Sequence, residues 1–186
     1  ARDHFLGFEA VSGRGEEFKS GGRVVKNVTG FDLSKLLAGS FGTLAAMTSV
    51  TVKVLPKPDK TRTVLLYGLD DEAAVKALSE TLQGPFEINS AAHLPANIAA
   101  KSAVSYIASS GGSVAAVRVQ GPEPSVEVRC RAVRALWQAH GEVEELHGHN
   151  SENLWQEVRD IAKLLSNPED QIWRLSVPPS TGAGVV

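Results

Sequence analysis

A chain of 186 residues with 42% hydrophobic content is long enough to bury a core as one full domain or two small ones. A formal net charge of −2, with no basic stripe carrying interleaved aromatics, excludes nucleic acid as a partner class. No apolar run approaches the ~20 residues that span a bilayer, and the single cysteine, Cys130, excludes an internal disulfide, so the expectation is a cytoplasmic protein that meets a membrane only through partners.

The first strong pattern runs from Lys26 to Pro58, KNVTGFDLSKLLAGSFGTLAAMTSVTVKVLPKP. Gly30 precedes a short apolar helical turn (Phe31, Leu33, Leu36, Leu37), Gly39 follows it, and Gly42 lies in the next loop. Glycines so placed supply positive φ or let another group approach the backbone. Val50, Val52 and Val54 then alternate with Thr51 and Lys53, which predicts a strand with one buried face, stopped by Pro56 and Pro58. Asp32 and Lys35 stand i, i+3 on the helical turn and are placed to pair.

DKTR links to a second region with a different rhythm. Thr61 to Leu69 predicts a strand. Asp70 or Asp71 caps a helix with Ala74, Val75, Ala77, Leu78 and Leu82 on its apolar face, ended by Gly84 and Pro85. Phe86 to Leu94 predicts a second strand, Ala96 to Ile107 a loop and short helix, and Ser113 to Gln120 a third strand. Pro122 opens a helix with Val126, Val128, Val133, Leu136 and Trp137 inward, and Glu142 to Leu146 predicts a fourth strand. The order β-α-β-β-α-β is the ferredoxin-like arrangement, with both helices on one face of an antiparallel sheet. Ser151 to Leu165 predicts a further helix closed by Asn167 and Pro168, and Ile172 to Val177 a last strand.

Neither GxGxxG nor GxxxxGK[ST] is present, so no Rossmann or P-loop nucleotide site is signalled. His147 and His149 in HGHN are spaced i, i+2, poor for a helical metal pair, and are read as a solvated loop. Arg129, Arg131 and Arg134 are read as lining a solvated helix face. Cys130 is read as sitting on a helix rather than in a reactive pocket. Trp137, Trp155 and Trp173 are read as core positions in preference to a stacking site.

The glycine-punctuated segment, with xTGFDL, GSFGTLAxxT and a strand ending in LPKP, resembles the C-terminal part of the FAD-binding domain of the vanillyl-alcohol oxidase (PCMH) type. The KN before Gly30 points within it to the FAD-binding E subunits of bacterial glycolate oxidases. RDHFLGFEAVSGRGEEFKSGG upstream and IWRLSVPP downstream extend the likeness, which is specific mainly over residues 1–58. It implies an α+β fold: residues 1–58 as the second, C-terminal lobe of a PCMH-type FAD-binding domain, and residues 59–186 as a partial cap domain, ferredoxin-like. The chain opens inside a motif, with no glycine-rich pyrophosphate loop ahead of Ala1, and is therefore expected to be a fragment, inactive alone.

The resemblance implies FAD as cofactor, a 2-hydroxy acid as substrate, and other glycolate oxidase subunits, flavin-binding and iron–sulfur, as partners. It implies that Gly39, Ser40, Gly42, Thr43, Leu44, Ala46 and Met47 line the FAD, with Arg2 and Asp3 near it and Lys26 and Thr29 toward the reacting end. No residue is singled out as catalytic, and no metal site is expected. Two departures stand out. Ala45 replaces a glycine of GTLG, where a methyl is expected to crowd the cofactor, and Val25 stands where relatives that oxidise 2-hydroxy acids carry an arginine for the substrate carboxylate. Two functions stay open: a flavin oxidoreductase subunit, or a non-catalytic structural or assembly subunit with a degenerate flavin site.

Overall fold

The computed structural model describes residues 2–25, 30–161, 169 and 171–185. The chain divides into two compact units, Ala1–Lys57 and Pro58–Val186.

The first unit begins with a 3-10 turn, Arg2–His4, and continues through strand β1 (Phe5–Ser12), β2 (Glu17–Gly21), helix α1 (Leu33–Leu37) and β3 (Ala45–Val52). The strands form one antiparallel sheet in the order β2-β1-β3. Register shifts at Glu9/Ala10, because Glu9 faces Ser49 and Ala10 faces Met47. Thr48 is the extra residue of this bulge, and its hydroxyl donates to the Glu9 carbonyl at 3.2 Å. The core is small: Phe8, Ala10, Leu37 and Ala45, with Phe5, Phe18 and Leu33 packed against them. The Phe8 ring stands edge-on to Phe18, centroids 5.5 Å apart.

β3 starts earlier than the valine alternation indicates and stops before Val54. Its expected buried face is open: Val50 and Val52 are more than half exposed, and Val54 is 78% exposed. Alternation marks which side chains are apolar but not what covers them, and the four-residue core reaches this edge strand only at its first residue, Ala45.

The second unit is the ferredoxin-like layer arrangement. β4 (Lys60–Tyr67), α2 (Asp71–Gln83), β5 (Ser90–Leu94), β6 (Val114–Gly121), α5 (Glu123–Trp137) and β7 (Val143–His147) give an antiparallel sheet in the order β5-β6-β4-β7, with β4 and β6 central. Two short helices, α3 (Ala96–Ala99) and α4 (Ser105–Ala108), separate β5 from β6, and α6 (Gly148–Asp160) follows β7. Asp70 caps α2, its carboxylate accepting from the Ala73 amide at 2.8 Å. Pro122 caps α5.

The sheet is buried on both sides, so successive residues of β4 enter opposite cores. Val64 and Leu66 pack with α2 and α5, around Ala77, Val126, Val133 and Trp137. Leu65 packs on the other face with α3, α4 and α6, around Ile107, Leu146, Leu154 and Trp155. This explains the unbroken Val64-Leu65-Leu66 run: a strand covered on both faces does not alternate.

Other expectations are corrected. The second strand is only Ser90–Leu94, because Glu87 adopts φ 47 and bends the chain ahead of it. Leu82 and Val128 are exposed, at the margins of their helical faces. Arg129 does not line a solvated face: its side chain is 12% exposed and donates to the carbonyls of Gln120 at 2.7 Å and Glu87 at 3.2 Å, stapling the end of β6 to the loop before β5. Arg131 is exposed, and Arg134 is half-exposed beside Glu145. His147 ends β7 and His149 lies in α6, so HGHN is a strand-to-helix junction.

Residues 171–178 carry no strand, and Trp173 is 80% exposed, whereas Trp137 and Trp155 are core. An apolar alternation makes a strand only beside a partner edge, and no edge of the described sheets takes it. A short helix, α7 (Pro179–Gly182), follows. The C-terminal part of the expected Ser151–Leu165 helix, with Asn167 and Pro168, lies outside the described residues.

Candidate functional site

The glycine loop of the first unit is built from two consecutive turns. Asp32 caps α1 by accepting from the Lys35 amide at 3.1 Å, and its other oxygen meets the Lys35 ammonium at 3.4 Å. The Ser40 amide donates to the Leu37 carbonyl at 3.0 Å, and the Thr43 amide and hydroxyl donate to the Ser40 carbonyl at 3.0 and 2.7 Å. Gly39 (φ 90) and Gly42 (φ 78) take the left-handed backbone that these reversals require.

Phe41, between them, also has positive φ, at 52°. A left-handed phenylalanine is costly, on the order of 1–2 kcal/mol, and this one is 96% exposed, so no burial offsets the cost. Among the described residues the amides of Phe41 and Gly42 have no acceptor. Successive open N–H groups in positive-φ backbone form a shallow anion-accepting concavity. Phe41 is the residue that sequence reasoning missed; its only signal was an aromatic set between two glycines.

The remaining residues fall into three groups. Gly39, Ser40, Gly42, Thr43 and Leu44 form the loop, and Ala46 and Met47 follow on β3, exposed, next to Leu44, which is 51% exposed. Arg2 is brought to the same loop: its guanidinium donates to the Ala38 carbonyl at 3.2 Å and lies 3.9 Å from where a Gly39 side chain would begin. The turn carrying Arg2 is anchored at its other end, where the Lys53 amide donates to the His4 carbonyl at 2.7 Å.

Asp3 points elsewhere, into a cleft of about 280 Å³ shared with Phe31, Asp32, Lys35, Val24 and Val25. Lys26 and Thr29 lie outside the described residues.

The expectation for Ala45 is overturned. Its methyl is 5% exposed and packs in the core with Phe8, Ala10 and Leu37, so it faces away from the open side of the loop. Among the described residues the cleft beside Val25 holds two carboxylates and a single ammonium, a poor match for a further carboxylate.

In the second unit, Cys130 is buried on α5, and burial pushes its thiol up to about 12. Such a thiol is inert rather than reactive. No helix of the described residues is long and apolar enough to cross a membrane.

No family model matches the chain. Glycolate oxidase subunit GlcE of Escherichia coli K12 is 28% identical over 177 residues, 95% of this chain and 42% of that subunit. An uncharacterised FAD-linked oxidoreductase of Mycobacterium tuberculosis H37Rv is 42% identical over 82 residues, 44% of this chain and 18% of that protein. Among solved structures, an alkyldihydroxyacetonephosphate synthase superposes with a TM-score of 0.61 at 17% identity, over 87% of this chain and 32% of that one, a likeness of fold. The chain thus has the α+β fold of a PCMH-type FAD-binding protein and is a relative of the glycolate oxidase subunit GlcE, spanning about two-fifths of that subunit's length.

Proposed function

We propose that the protein to which this chain belongs is the FAD-binding subunit of a glycolate oxidase-type flavin oxidoreductase acting on 2-hydroxy acids. The similarity to GlcE along 95% of the chain carries this reading. The α1–β3 loop fits the cofactor: it offers two unengaged amides at Phe41 and Gly42 for an anionic group, and exposed Leu44 and Met47 for an apolar ring system. In this reading Gly39, Ser40, Gly42, Thr43, Leu44, Ala46 and Met47 line the FAD, and Arg2 holds the loop through the Ala38 carbonyl. The FAD, when bound, supplies a flavin N5 that accepts hydride from the substrate carbon.

The subunit works within a multi-subunit oxidase, beside flavin-binding and iron–sulfur subunits, in the cytoplasm or held at the inner membrane by those partners. Val25 in place of the carboxylate-binding arginine, beside Asp3 and Asp32, favours a division of labour in which this subunit holds FAD for electron transfer while a sister subunit oxidises the substrate. A structural or assembly role is less favoured, since Ala45, one of the departures behind it, leaves the open side of the loop unobstructed.

The test is an absorbance spectrum of the purified full-length protein, with the cofactor identified after denaturation. Stoichiometric FAD is expected, bleached by glycolate or D-lactate either directly or, under the division of labour, only after a sister subunit is added. No flavin after reconstitution with FAD overturns the reading.

A further inference from the structure

The second unit buries three arginines to different degrees, and two of them are fully partnered. Arg62, 17% exposed, meets Glu145 at 3.0 Å and Glu127 at 3.1 Å. Arg129 is spent on backbone carbonyls and on Glu87, 3.5 Å away. Arg118, on the α6 face of β6, differs. It donates to the Ser90 hydroxyl at 2.7 Å, and its Nε is buried without a partner. No carboxylate lies within ion-pairing distance of it among the described residues. A part-buried guanidinium left without an anion is a standing electrostatic cost, and burial lowers its affinity for its proton.

The surroundings hold this cation in place. Its carbon lies 5.1 Å from the centroid of the Trp155 ring. Trp155 is itself fixed, donating through Nε1 to the Thr63 hydroxyl at 2.8 Å, which meets the Ser151 hydroxyl at 2.6 Å. The guanidinium opens on a cavity of about 630 Å³ lined by Val158 and Gln156 of α6 and by the β5 chain at Ser90 and Ala91, whose methyl turns to the opposite face of the sheet. Glu152 and Arg159 also line it, and Arg159 is occupied by a bidentate contact with Asp160. Ser90, which accepts from Arg118, keeps its own proton to give.

We propose that the cleft between β5, β6 and α6 binds a small organic acid, its carboxylate or phosphate group held by Arg118 and Ser90 and its apolar body against Val158. A planar fork stacked on an indole, with a hydroxyl donor beside it, is pre-organised for a bidentate oxyanion. The site lies wholly within the second unit and does not depend on a flavin site.

The experiment is a side-chain-optimised ¹H–¹⁵N titration of the whole chain, following the arginine Nε signals, with isobutyrate in one arm and phenyl phosphate in the other. One Nε resonance is expected to shift saturably in at least one arm, and the stronger arm identifies the acid. In Arg118→Gln that resonance disappears, so binding is followed there by calorimetry, with an expected weakening of about tenfold or more. Arg118→Lys, which keeps the charge but not the fork, is expected to fall between. If Arg118→Gln does not fold, Ser90→Ala replaces it, with a smaller weakening of several-fold. Absence of saturable binding in both arms, or affinity unchanged in the variants, overturns the proposal.

Discussion

The two units handle apolar surface in opposite ways. Among the described residues the second fills both faces of its sheet, with core clusters of twelve and ten buried residues, whereas the first buries a cluster of four and leaves Phe31, Phe41, Val50, Val52 and Val54 more than half exposed. Stability from burial scales with the area removed from water, so the second unit is built to stand alone. The first presents an apolar face, as expected of a surface that meets a cofactor or another part of its protein.

The largest expected effect tests that contrast directly. Trp137 is fully buried and donates to the Thr81 hydroxyl at 2.8 Å. Trp137→Ala is expected to cost the second unit about 3–5 kcal/mol, read as a lower midpoint in urea unfolding. Trp137, Trp155 and Trp173 all belong to this unit, so tryptophan fluorescence follows it alone. Phe8→Ala, in the small core of the first unit, is expected to leave that fluorescence transition where it was. Equal shifts in the two variants would mean that the units unfold as one.

A medium-sized effect comes from pH. Burial raises the Cys130 thiol from 9.0 to about 12, and burial with the nearby Glu144 and Glu142 carboxylates raises Tyr67 from 10.0 to about 12. A group whose pKa is higher folded than unfolded holds its proton in the native state after the unfolded chain has lost it. Stability is therefore intact below pH 9 and declines as pH rises through 9–12. The first unit contains neither cysteine nor tyrosine and lacks this liability. The fluorescence midpoint of the second unit is expected to fall across this window, and replacement of Cys130 by Ala and Tyr67 by Phe is expected to flatten the fall. A midpoint as steep in the double variant would assign the alkaline loss to other groups.

What the sequence disclosed divides along the same line. Topology in the second unit was legible because its signals are local: Asp70 and Pro122 mark helix starts, Gly84 and Gly141 mark their ends, and the apolar period changes from element to element. The covering of the α6 face was only partly legible, since Trp155 can be read as core from its own helix but Arg118, stacked upon it, lies 37 positions earlier in the chain. In the first unit Gly39 and Gly42 announced their turns, yet the exposed valines and the inward methyl of Ala45 were hidden, because both depend on which side of the strand another element covers. Phe41 was hidden for a different reason: no propensity rule places an aromatic residue in left-handed backbone.

That residue gives the smallest effect and the sharpest question. Phe41→Gly releases a strain on the order of 1–2 kcal/mol and adds back about 0.5–1 kcal/mol in unfolded-chain freedom. With the ring 96% exposed, no packing is lost. The net expectation is a gain of about 0–1.5 kcal/mol in the first unit, seen as slower amide exchange along β1 and β3. Strain retained at an exposed position is a mark of function rather than of folding, so in the full-length protein the same variant is expected to bind FAD more weakly despite the firmer loop. Faster exchange in β1 would show that Phe41 supports the first unit through contacts of its own, and the contrast between an inward-packed unit and an outward-facing one would then fail at the residue where it is most pronounced.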